Sequence, residues 1–243
     1  MDDQNTHPVT AAPADVPRPT DTRVAIHVLL DRSGSMAMVA DDVIGGFNRF
    51  LADQRADGDD AVLTLVQFDS VNPEEVVVDA APIAEVRPLD AATFVPRAST
   101  PLLDATARLL ARASARDAAR ATAGLPPEEV VVVSITDGHE NASREVRLRE
   151  VRELIEQRRR QGWTFVFLGA APDVYGEAGG LGYDDRSVQA FAADGAGTSA
   201  AFESLSHSTA NMRRKVRVGE RRDKDDFFEG EKPAEFRRRR RGT

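Results

Sequence analysis

Asp31, Ser33 and Ser35 occupy alternate positions at the end of the apolar run VAIHVLLDRSGSM (residues 24–36), and this spacing outlines a cation site. One carboxylate and two hydroxyls are hard oxygen donors without sulfur or imidazole. Such a set suits Mg²⁺, Mn²⁺ or Ca²⁺ better than Zn²⁺. Two more oxygen donors stand far along the chain: Thr100 in STPLLDA and Asp137 in ITDGHEN. A site built from all five needs a frame that carries them to one rim.

The run 24–30 has the character of a strand buried on both faces of a parallel sheet, with its last residues at the carboxyl edge where open α/β sheets bind ligands. AVLTLVQFD (61–69), VVVVSIT (130–136) and WTFVFLGA (163–170) read as further buried strands, and 187–191 as a weak one. EEVVVDAAPI (74–83) follows a turn containing Asn72 and Pro73 that is too short for a helical crossover, so it pairs antiparallel and lies at an edge. Apolar residues at helical spacing predict helices over 39–55, 101–119, 143–160, 173–180 and 198–217. Residues 86–99 read as a loop holding a short helix. Gly45 and Gly46 inside the first helix call for a close packing contact in compensation. The alternation predicts an α/β fold: a three-layer α/β/α doubly wound sheet, mostly parallel with one antiparallel edge strand. Thr100 opens the 101–119 helix and Asp137 ends the 130–136 strand, so both reach the carboxyl rim.

The 243 residues hold one such domain, expected over 23–217, between a Pro-rich acidic leader (1–22) and a disordered charged tail (218–243) ending in five arginines. With no cysteine, disulfides, thiolate metal sites and cysteine nucleophiles are excluded. The leader has no apolar h-region and no stretch reaches transmembrane length, which points to a cytoplasmic protein without membrane contact. Residues 213–243 carry thirteen Lys/Arg against seven Asp/Glu, a net of +6 that leaves −14 for residues 1–212 out of a total of −8. A domain that acidic is a poor nucleic-acid surface, so nucleic acid would bind only through the tail.

The chain resembles the von Willebrand factor type A (VWA) domain family over about residues 23–217. DRSGSM matches its Asp-x-Ser-x-Ser motif at Asp31, Ser33 and Ser35, Thr100 its loop-two threonine, and Asp137 with Gly138 its loop-three aspartate. The resemblance implies a metal-ion-dependent adhesion site (MIDAS). The two serines would contact Mg²⁺ directly, Thr100 and the aspartates directly or through water, and a partner's Asp or Glu carboxylate would complete the shell. IGGFNRFLADQ, LTLVQFD, STPLLDA and ITDGHENASREV further resemble a bacterial cytosolic branch of single-domain members. Where many members have glycines before the threonine, this chain has Ala98 and Ser99.

Each residue also has a structural reading. Ser33 and Ser35 suit a turn or helix cap, and Thr100 before Pro101 suits an N-cap. Asp104 supports the helix start, Asn141 to Ser143 cap the next helix, Trp163 is a core aromatic and His27 a hydrogen-bonded core histidine. Asp69, His139 and Glu140 lie within reach of the rim, and Arg32 faces solvent or a partner.

Three functions compete. The first is a non-enzymatic, metal-dependent protein-interaction module. The second is a Mg²⁺-dependent phosphotransferase similar to haloacid dehalogenases, with Asp31 as nucleophile. It is disfavoured because Ser33 stands where that class has its general acid. The third is a nucleic-acid-associated adaptor acting through the arginine tail. Partner identity and oligomeric state are not encoded in any feature of the chain.

Overall fold

All eight residues of β1 (Val24–Asp31) are buried, as a strand covered on both faces requires. A computed structural model describes residues 23–220 and 222–229. β1 pairs in parallel with β2 (Ala61–Phe68) on one side and β4 (Glu129–Thr136) on the other. Beyond β4 lie β5 (Thr164–Gly169) and the short β6 (Val188–Ala190), also parallel. β3 (Glu75–Pro82) pairs antiparallel with β2, giving the order β3-β2-β1-β4-β5-β6. The fold class and the antiparallel edge are those the sequence predicts.

Alternation along β1 divides the core. Ile26, Val28 and Leu30 point to a layer formed by α1 (Ala40–Asp57) and α5 (Gly195–Arg217). Ala25 and Leu29 point to the opposite layer, formed by α2 (Leu102–Thr122), α3 (Leu148–Arg160) and α4 (Val174–Leu181). Gly46 of α1 leaves room for the Phe202 ring of α5. A Cβ there would sit 2.3 Å from Phe202 Cδ2, whereas one on Gly45 would meet nothing within 4 Å.

Three local expectations are revised. α3 starts at Leu148 instead of 143, because the Asp104 carboxylate binds the N–H groups of Arg144, Glu145 and Val146 and holds them in a loop. Asp104 therefore serves that loop, and Leu148, expected to face inward, is half exposed. Residues 86–99 contain no helix; a single 3₁₀ turn, Ile83–Glu85, precedes them. The charged tail does not begin at 218 as an unstructured segment. Phe227 and Phe228 are 3% and 1% exposed in the α1/α5 layer, a burial worth about 1.5–3 kcal/mol each. Arg222 and Lys224 tie the same segment to Glu129. The leader over 1–22 and the five arginines, Arg237 to Arg241, lie outside the described residues.

Candidate metal centre

The strand order reverses around β1 and β4, and their carboxyl ends deliver Asp31 and Asp137 to the crevice at that reversal. Asp31 forms the floor and is fully buried. Its Oδ1 accepts from Ser33 N (2.7 Å) and its Oδ2 from Thr136 Oγ1 (2.6 Å). Above it, Ser33 Oγ lies 3.1 Å from Ser35 Oγ, and Ser35 Oγ donates to Asp137 Oδ1 at 2.7 Å. Gly138 closes the circle, since a Cβ there would stand 3.3 Å from Thr100 Oγ1 and 3.5 Å from Ser35 Oγ. All five residues singled out in the sequence thus surround one spot.

Three loops hold that arrangement. Gly34 N donates to Ala98 O (3.0 Å), joining the serine loop to the threonine loop, and Arg97 N donates to Arg32 O (2.8 Å). Ala98 adopts φ +59°, the left-handed conformation that glycine takes most readily. Asn141 fixes Thr100 by accepting from its N–H (2.9 Å) and donating to its carbonyl (3.1 Å). Thr100 makes no capping hydrogen bond at the start of α2, where Pro101 is the capping residue. Its hydroxyl is therefore not used by the helix.

Arg32 does not face solvent. It is 3% exposed, and its guanidinium reaches Asp69 Oδ2 (2.8 Å), Gln67 and Glu75. Asp69 Oδ2 also accepts from Arg97 Nε at 2.9 Å, so this carboxylate is an anchor between loops. Glu140 binds backbone N–H groups of Leu103, Ala142 and Ser143, and His139 Nδ1 lies 3.3 Å from Glu177. None of these reaches the five oxygens.

Sequence reading overlooked Thr136. The strand register contains the signal: Leu30 pairs with Ile135, which puts Thr136 beside Asp31.

No protein-family model matches the chain, and neither does any curated protein. Solved structures do match. Proximal thread matrix protein 1 from the mussel byssus superposes with a TM-score of 0.54 at 15% identity, over 77% of this chain and 47% of that one. The SpRpn10 VWA domain superposes with a TM-score of 0.53 at 8% identity, over 76% of this chain and 95% of that one. The chain has the VWA fold. A second structure of the byssus protein, described as having a zinc occupied MIDAS motif, superposes at 0.50 with 16% identity, over 75% of this chain and 47% of that one. The chain spans about half the length of the byssus protein. At such identities the likeness establishes the VWA fold, and the chemistry of the site rests on its own residues.

Those residues fit a hard divalent cation. Among the described residues, no group of three or more His, Cys, Asp or Glu side chains has the arrangement to hold a metal, and the oxygens gathered here are two carboxylates with the hydroxyls of Ser33, Ser35 and Thr100. Within the VWA frame the five oxygen donors supply only two formal negative charges. Burial pushes the Asp31 carboxyl up to about 6, opposed by hydrogen bonds from Thr136 and Ser33 and reinforced by the charge of Asp137. Asp137 is also raised, by burial first, with its hydrogen bond from Ser35 opposing. A cation among them would reverse both effects by favouring the charged carboxylates.

Proposed function

We propose that the chain is a metal-dependent protein-interaction module whose cation is held by Asp31, Ser33, Ser35, Thr100 and Asp137. The observation that carries this reading is the convergence of hydroxyls and carboxylates from three separate loops on the spot beside Gly138. Mg²⁺ is the expected ion, with Mn²⁺ and Ca²⁺ as substitutes. The donors leave the cation with excess positive charge and room in its shell, and an Asp or Glu carboxylate of a partner protein is the natural last ligand.

Exposed apolar side chains on neighbouring loops support a protein partner. Met38 is 90% exposed three residues after Ser35, Val71 69% exposed two residues after Asp69, and Val95 48% exposed just before Arg97. Where such side chains adjoin in one patch rimmed by polar groups, they mark a protein contact surface. A catalytic reading lacks a proton donor. Among the described residues, the only side-chain hydrogen bond to Asp31 from outside its own loop comes from Thr136, a poor general acid.

Calorimetric titration with Mn²⁺ and Mg²⁺ tests the site, and affinity capture from native lysate in the presence and absence of chelator tests the function. Binding lost in Asp31→Ala, together with partners that disappear on chelation, is the expected result. Identical partners from the wild type, the variant and chelated protein would sink this reading. Turnover of a generic phosphoester that is abolished in Asp31→Asn would replace it with the phosphotransferase.

A further inference from the structure

A second feature lies on the α2 face, four residues before Asp31 along β1, or about 13 Å at strand rise. Here the sheet and the second half of α2 enclose a groove of about 910 Å³. Its floor is His27 of β1 and Thr64 of β2, and its wall on α2 is a row of exposed alanines, Ala111, Ala115 and Ala119. The small side chains leave it open. A bulge in β3 shapes the far side: Ala80 turns to φ +48° and donates its N–H to Thr64 Oγ1 (3.1 Å) instead of to the ladder.

Two buried nitrogens in the groove lining are unsatisfied. His27 is 2% exposed, yet its Nδ1 has no hydrogen-bond partner among the described residues, and neither does Arg120 Nε. The hydrogen-bonded core histidine expected from sequence therefore has an unsatisfied ring nitrogen, which is costly in a native interior. Charge is also unevenly spread along α2. Toward its C-terminal end, Arg116 and Arg120 share one carboxylate, that of Glu128. One turn earlier, Arg112 faces two, those of Glu74 and Asp79. At the Arg116/Arg120 end two guanidiniums thus meet a single carboxylate. Burial first, and then Arg116, push His27 down to about 4 against the opposing charge of Asp79, so its imidazole is neutral at pH 7 with one N–H and one lone pair.

We propose that this groove binds a small organic oxyanion, with its carboxylate or phosphate group at Arg116 and Arg120 and its body lying along the alanine row over His27 and Thr64. The size fits a metabolite-sized ligand, and guanidiniums are the usual partners of both oxyanions. Thr64, accepting from Ala80, keeps its own hydroxyl hydrogen for the ligand. The proposal is independent of the cation site.

The test is an NMR titration of the full chain, following the His27 ring resonances, assigned by their loss in His27→Gln. Inorganic phosphate and acetate are added separately at pH 7 and matched ionic strength, with NaCl as the baseline. The expected result is a saturable shift of His27 by at least one anion at millimolar concentration. The anion that acts separates phosphate-bearing from carboxylate-bearing ligands. Ala115→Leu, which fills the groove from an exposed helix position, should abolish the shift. Arg120→Gln should weaken it at least fivefold, and Asp31→Ala should leave it unchanged. If neither anion moves His27 beyond the NaCl baseline, or if Ala115→Leu titrates as wild type, the groove holds water only and the proposal fails. Loss of the response in Asp31→Ala would likewise overturn it, by assigning the anion effect to the other site.

Discussion

Thr136 Oγ1 donates a 2.6 Å hydrogen bond to Asp31 Oδ2, from the neighbouring strand and within the buried floor of the site. The bond fixes the carboxylate that the cation reading needs, and it lowers the cost of keeping that carboxylate ionised. Thr136→Val keeps the shape of the side chain and removes the donor. Mn²⁺ affinity should fall about tenfold or more by titration calorimetry, while Thr136→Ser retains it. Equal affinity in the valine variant would show that Asp31 is oriented by other means.

Asp31 makes stability depend on pH with a definite sign. Its folded value of about 6 lies above the ordinary 3.8. The stability it contributes is therefore fully present below about pH 4 and lost as pH rises through 6, a span worth about 3 kcal/mol. Without divalent ions, the Tm of wild type relative to Asp31→Asn should fall between pH 4 and pH 7. Added Mg²⁺ should raise the wild-type Tm more at pH 7.5 than at pH 5, and should leave the variant unmoved.

Ala98 pays for its place in the threonine loop. An L-residue at φ +59° carries about 1 kcal/mol of strain that glycine does not. Ala98→Gly should stabilise the fold by about 0.5 kcal/mol once the added freedom of the unfolded chain is offset, with cation affinity unchanged. Destabilisation in urea would mean that the alanine methyl packs usefully.

The neighbouring glycines of α1 should respond in opposite ways. Gly46→Ala drives a methyl into the buried Phe202 ring and should cost about 2–3 kcal/mol. Gly45→Ala meets open space and should gain up to about 1 kcal/mol from helix propensity. Chemical denaturation of the two variants measures both.

The mostly parallel sheet and its antiparallel edge strand were legible because β-branched runs encode burial, and the five candidate residues because they stand where such runs end or helices begin. What escaped detection depends on contacts between distant segments. Nothing local in Arg32 shows that Asp69 and Glu75 draw it inward. The late start of α3 depends on Asp104, forty residues away. Thr136 required the strand register, and the orphaned nitrogen of His27 required the whole groove. Phe227 and Phe228 sit among charges that read as solvated tail, and only the tertiary seat in the α1/α5 layer shows otherwise.

That seat gives the molecule a polarity. The 222–229 segment is moored at the amino edge of the sheet, where Arg222 and Lys224 reach Glu129 at the start of β4, while the oxygens of Asp31 and Asp137 open at the opposite edge. A partner docked at the crevice would therefore meet the edge of the sheet opposite to the one that holds the 222–229 segment. The seat also fixes where the arginine run can be cut. Removing residues 219–243 would unseat two buried phenylalanines along with the arginines, so a clean excision must begin after Glu229.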